Sequence, residues 1–229
     1  MFPLRDENQS REIPVVTYTL ILLNVVIYLW DRQWNPFGPR ILFTDLTLVP
    51  SAAIEAVFGD GDARALLGLF TSLFLHGSLL HLVMNMIFLI TFGDNIEAAF
   101  GPVRFVIYYL FWGLMAGAAH TLVMPSSQIP TLGASGAIGG VLGAYFLLFP
   151  GHKISFLVFP FVFWPLEIAA WILLGGWFLF QILFPQQGVA NWAHAGGFLA
   201  GMLTVLIAGG QRQVLAGRKF DGDDNLNYA

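Results

Sequence analysis

Six apolar stretches constrain this chain more than any other feature. They run roughly over Val15–Trp30, Leu79–Phe92, Val103–Val123, Ser135–Leu148, Pro165–Phe184 and Trp192–Ile207. A helix that crosses a bilayer needs ~20 mostly apolar residues. The second, fourth and sixth stretches fall short by hydropathy because small or polar residues open them. Charge is scarce: 10% of residues are charged and 57% are apolar, where an ordinary soluble domain carries about 25% charged residues. That balance excludes a disordered chain and a coiled coil, and it argues against a soluble globule. Only 10 Lys and Arg are available for phosphates, so no nucleic-acid partner is expected. The chain has no cysteine, which excludes a disulfide scaffold, thiol catalysis and Cys-ligated zinc. The expectation is an all-α membrane protein: a bundle of six transmembrane helices in contact with lipid, with no cofactor.

Arg and Lys placement gives an orientation. With both ends inside, Arg5, Arg11, Arg104, Lys153, Arg212, Arg218 and Lys219 lie on the inner side, and Arg32, Arg40 and Arg64 on the outer side. Residues 1–12 then form an inner N-terminus too polar for a cleavable signal, residues 13–210 hold the six spans, and residues 211–229 read as a polar, disordered inner tail. The first outer loop, about Asp31 to Arg64, is rich in apolar residues and is expected to lie on the membrane interface, with a short helix beginning at Pro50-Ser51. No internal repeat supports an inverted-repeat transporter.

Polar groups inside hydrocarbon are costly, so each needs a reason. The second span opens with His81 and Asn85, four residues apart on one helical face. The fourth opens Gly133-Ala134-Ser135-Gly136, and the sixth Asn191-Trp192-Ala193-His194-Ala195-Gly196-Gly197. These three spans all run from outside to inside, so the three clusters share one depth. A serine nucleophile, a histidine base, and amide and imidazole donors for an oxyanion are the contents of acyl-transfer chemistry. Asp94, Glu97 and Glu167 fall at the inner ends of spans, so a Ser–His dyad is expected rather than a triad with an acid. Glu167 is placed in the first turn of the fifth span, where a helix N-terminus favours an anion. Glu97 is expected to brace the turn before Gly101-Pro102, and Asn24 to bond across helices. Gly136 and Gly140, Gly139 and Gly143, and Gly197 and Gly201 are small-xxx-small pairs that would let the fourth and sixth spans approach closely.

At these residues the chain resembles the rhomboid intramembrane serine proteases. The resemblance runs from Phe70 to Gly201 and rests on His81-x-x-x-Asn85, Gly133-Ala134-Ser135-Gly136 and Ala193-His194-x-Gly196-Gly197, with Gly93-Asp94-Asn95-Ile96-Glu97 similar to the family's turn between spans 2 and 3. It implies a six-span fold with Ser135 as nucleophile, His194 as general base, and His81, Asn85 and the Ser135 N–H as the oxyanion hole. It also implies transmembrane protein substrates cut near the outer face, sideways access between spans 2 and 5, and, for a prokaryotic-type core, a bacterial inner membrane. Two features depart from the family pattern. Gly139 stands where many rhomboids carry an aromatic ring that stacks on the histidine, and the first loop lacks a Trp-Arg dipeptide. The competing readings are a catalytically silent protein that binds membrane helices and a channel or transporter for small solutes.

Overall fold

A computed structural model describes residues 2–6, 13–40, 42–157, 166–218 and 220. Among them, helices α1 (Val15–Asp31), α2 (Pro50–Phe58), α3 (Gly68–Thr71), α4 (Leu79–Phe100), α5 (Pro102–Val123), α6 (Ser135–Leu148), α7 (Ala170–Leu183), α8 (Asn191–Ile207) and α9 (Gly210–Leu215) carry most of the chain. Strands β1 (Phe2–Asp6), β2 (Lys153–Leu157) and β3 (Leu166–Ala169) form one antiparallel sheet in the order β1-β2-β3. The fold is therefore mostly helical but not all-α. Two helices, α4 and α5, are each 22 residues long and apolar enough to cross a membrane. The other four helices of the bundle, α1, α6, α7 and α8, are 14 to 17 residues long.

Where the expected elements differ, local chemistry explains why. The second span continues past Phe92 to Phe100 and stops at Gly101, whose φ of +82° suits glycine, with Pro102 opening α5. Glu167 does not open a helix. It lies on β3 opposite Ser155 and pairs with Lys153 across an exposed 3.8 Å contact. The cue was the alternation in β2, where Ile154 and Phe156 are buried and Lys153 is exposed. Pro165, expected to start the fifth span, lies outside the described residues. The tail expected to be disordered from residue 211 instead folds through α9, and Leu215 and Phe220 are buried in the core; residues 221–229 lie outside the described residues. Asn24 donates to the Leu20 carbonyl of its own helix at 2.8 Å rather than across helices. Glu97 reaches α1 instead of the local turn.

The core runs through α4, α5, α6 and α8, with Trp112, Tyr109, Phe92, Phe105, Tyr145 and Phe198 fully buried. The outer faces carry Leu22, Leu80, Ile107, Leu179 and Leu206, all exposed, as lipid-facing helices do. The closest approach is between α6 and α8. A Cβ at Gly197 would overlap the Gly136 carbonyl oxygen, one at Gly201 that of Gly140, and one at Gly143 that of Phe198. Backbone touches backbone here, and glycine alone permits it.

The loop between α1 and α4 positions the site from outside the bundle. Asp31 is buried and accepts from the backbone N–H groups of Leu42 and Phe43. The Arg32 guanidinium sits 3.9 Å above the Tyr28 ring and donates to the carbonyls of His76 (2.8 Å) and Gly77 (3.0 Å), fixing the lead-in to α4. Leu48 and Thr131 exchange backbone hydrogen bonds, 3.0 and 2.7 Å, which ties the loop to the segment that enters α6.

Candidate active site

Three of the four expected residues sit in the first turn of their helices. Ser135 is the first residue of α6, whose N-terminus has no side-chain cap. The first N–H groups of that helix have no intrahelical acceptor, and the helix dipole makes the spot positive. His194 lies in the first turn of α8. His81 lies in the first turn of α4, where the Ser78 hydroxyl accepts from the His81 N–H at 3.1 Å. Asn85 follows one turn later.

The fold brings all four together. His194 Nε2 is 2.8 Å from Ser135 Oγ. Gly133, two residues before the serine, has φ +123°, and a Cβ there would lie 2.7 Å from His81 Nε2 and 3.5 Å from Asn85 Nδ2. Only glycine takes this turn, and only glycine leaves room for those two side chains against it. The amide nitrogen of Asn85 is buried and has no hydrogen-bond partner among the described residues. A buried donor left unpaired costs about 1–3 kcal/mol, so its position beside Ser135 calls for a reason. All four residues line one cavity of about 1000 Å³, joined by His120 and the 185–190 segment between α7 and α8; no carboxylate lines it among the described residues. His120, near the end of α5, is thus a wall of the same space.

Two partners of His194 escaped the sequence reading, and both come from α7. The Trp177 ring lies 5.7 Å from the imidazole, inclined by 31°. Gln181 Oε1 is 2.9 Å from His194 Nδ1. The ring answers the question left by Gly139. A Cβ at residue 139 would come within 2.7 Å of the His194 carbonyl oxygen, so no aromatic fits there, and the neighbouring helix supplies one instead. A signal was present: Trp177 and Gln181 are four residues apart in an otherwise apolar stretch, so they share one helical face. A lone amide in such a stretch needs a partner inside the bundle.

The profile of the Rhomboid domain matches residues 63–211, which cover the segment from the end of the first loop through α8 to the start of α9. The chain belongs to the rhomboid family. Rhomboids are embedded in membranes, and so is this chain. It is similar to Rhomboid protein 1, mitochondrial, of Saccharomyces cerevisiae, 35% identical over 144 residues, 58% of this chain and 39% of that protein. It is similar to RHOMBOID-like protein 4 of Arabidopsis thaliana, 35% identical over 179 residues, 76% of this chain and 41% of that protein. It is also similar to Rhomboid protease GluP of Bacillus subtilis, 29% identical over 196 residues, 86% of this chain and 35% of that protein. The matches span well under half the length of these relatives. Mitochondrial, plant and bacterial rhomboids are all among them, so they give no preference for a bacterial inner membrane.

Proposed function

We propose that this rhomboid is an intramembrane serine endopeptidase that cuts transmembrane segments of other proteins near the outer membrane face. The observation that carries the reading is the 2.8 Å contact between Ser135 Oγ and His194 Nε2 inside a cavity that also presents the unpartnered Asn85 amide. His194 removes the hydroxyl proton as Ser135 Oγ bonds to the scissile carbonyl carbon. The carbonyl π electrons move to oxygen, where Asn85, His81 and the Ser135 N–H donate to the oxyanion. Collapse breaks the C–N bond, and the imidazolium gives its proton to the leaving amine. Water, deprotonated by the same imidazole, then releases the acyl group and restores the serine.

Six spans with both ends inside fit the family and the arginine distribution, with α1, α4, α5, α6, α7 and α8 as the spans. Substrate helices reach the cavity sideways between α4 and α7. Of the α7 residues only Ala170, Leu174 and Gln181 are buried, so this helix is packed on one side.

The test is cleavage of a reporter transmembrane protein in proteoliposomes, together with labelling by a fluorophosphonate. Wild type cleaves and is labelled; Ser135→Ala and His194→Ala do neither. Cleavage that survives Ser135→Ala overturns the reading. Reporter binding without any serine-dependent cleavage in the wild type would instead assign the chain to silent helix-binding relatives.

A further inference from the structure

The hydrogen bonds behind His194 have a forced direction. A backbone N–H only donates, and that of Gln186 lies 2.9 Å from Asn191 Oδ1. The other end of the Asn191 amide is therefore NH₂, and it points 2.8 Å to the Gln181 side chain. Gln181 must meet it with its oxygen, because an amide nitrogen there would set donor against donor. That same oxygen is 2.9 Å from His194 Nδ1. Nδ1 then carries the proton of the neutral imidazole, and Nε2 keeps the lone pair that faces Ser135 Oγ. Gln181 and Asn191 are both buried, 6% and 3% exposed, so water does not compete for these bonds.

Resting on the protease reading above, we infer that Gln181 is a positioning residue that sets the tautomer and ring orientation of His194, and that Asn191 in turn sets Gln181. An acceptor behind the base is what the acid supplies in a Ser-His-Asp triad. Here a neutral amide supplies it, and it comes from another helix. An amide suits this place. A carboxylate buried at the same position would carry a desolvation cost of several kcal/mol, whereas the amide oxygen is satisfied by its two donors. Both handles on the imidazole, Trp177 and Gln181, belong to α7, so His194 is held correctly only while α7 stays docked on α8.

The experiment compares Gln181→Leu, Gln181→Glu and Asn191→Asp with wild type. Turnover of the reporter is measured alongside the ¹⁵N signature of the His194 ring, recorded in a Ser135→Ala background. Leu keeps the bulk but has no acceptor: kcat drops about 10- to 100-fold with KM little changed, as expected for loss of tautomer control, and the Nδ1–H signature gives way to a mixture. Glu keeps the acceptor and the Nδ1–H signature, so it recovers turnover per folded molecule relative to Leu, while the buried charge lowers its melting temperature. Asp at 191 presents oxygen to Gln181, turns that amide over, and puts its NH₂ against Nδ1; the ring proton then moves to Nε2 and kcat falls. An unchanged ring signature in Gln181→Leu and Asn191→Asp would overturn the inference. So would kcat in Gln181→Leu equal to wild type. If Gln181 only glued α7 to α8, Gln181→Leu would lower turnover and stability without altering the tautomer of the His194 ring. The spectra do not depend on cleavage, so a wild type without serine-dependent activity would sink the protease reading and still leave the role of Gln181 decided by its own signal.

Discussion

Trp177 and His194 are packed ring against ring at 5.7 Å, from adjacent helices, and a second ring, Phe198, one turn after His194 on α8, lies 6.1 Å from Trp177. The indole thus lies against two rings of α8, the imidazole and Phe198. Its removal would leave space into which His194 could rotate away from Ser135. Aromatic pairs of this kind contribute about 0.5–1.5 kcal/mol beyond area burial, so Trp177→Ala is expected to lower kcat by roughly 2- to 12-fold from the stacking contribution alone. Trp177→Phe keeps a ring and should keep most of the activity. Steady-state cleavage of the reporter, with both proteins checked for matching melting curves, decides this.

Asn85 is the second residue whose environment makes a quantitative claim. Its amide nitrogen is buried and has no hydrogen-bond partner among the described residues; in the proposed mechanism it gains one when the oxyanion forms. Loss of an interaction made in the transition state but not in the ground state lowers kcat without changing KM. Asn85→Ala should therefore cost ~10²–10³ in kcat, as loss of one oxyanion donor does, with KM and thermal stability close to wild type. A rise in KM at constant kcat would place Asn85 in substrate binding instead.

Glycines between α6 and α8 hold the two reactive atoms at hydrogen-bond distance. The carbonyl oxygen of Gly140 occupies the space where a Cβ at Gly201 would stand. Gly201→Ala must push the helices apart, and overpacking typically costs 1–3 kcal/mol. Ser135 and His194 are at the other ends of these helices' contact, so the displacement reaches them as lost alignment. The expected outcome is a lower melting temperature together with a fall in kcat at temperatures where the variant is still fully folded. A melting change with unaltered turnover would show that the contact serves stability alone.

Much of this was legible from the residues because it rests on period and position. Hydropathy placed α1, α5, α6 and α8 to within a residue or so, since the runs are long and their ends carry Pro, Gly or polar residues. The juxtaposition of Ser135 with His194 followed from two polar helix starts at one depth and from small residues at four-residue spacing. What the sequence did not disclose depends on long-range pairing. The sheet joins β1 to β2 across the whole bundle, with buried Asp6 accepting from Asn95 (2.7 Å) and Tyr145 (2.6 Å). In the sequence Gln181 is one polar residue in an aromatic stretch; only the docking of α7 on α8 shows what its oxygen faces. Arg32 read as one charge in an outer loop, whereas it is buried beneath the strand of backbone that leads to His81.

Glu97 supplies the last prediction, and it concerns stability rather than chemistry. Its carboxylate accepts from the backbone N–H of Val16 (2.9 Å), the backbone N–H of Thr17 (2.8 Å) and the Thr17 hydroxyl (2.9 Å). Pro14 precedes α1 without offering a side-chain cap, so a residue 80 positions away in the chain closes that helix end. A negative charge at a helix N-terminus is favourable in itself, and the three donors satisfy a carboxylate that is otherwise buried. Glu97→Ala strands those donors and should destabilise the fold by about 2 kcal/mol, a fall of roughly 4–8 °C in melting temperature for a chain of this size. Glu97→Gln keeps one acceptor and should lose less than half as much. Thermal melting of the three proteins in one detergent measures the ranking. Activity per folded molecule should stay near wild type, because the contact lies at the opposite end of α4 from His81; equal stability of all three proteins would mean that solvent or lipid caps α1 as well as Glu97 does.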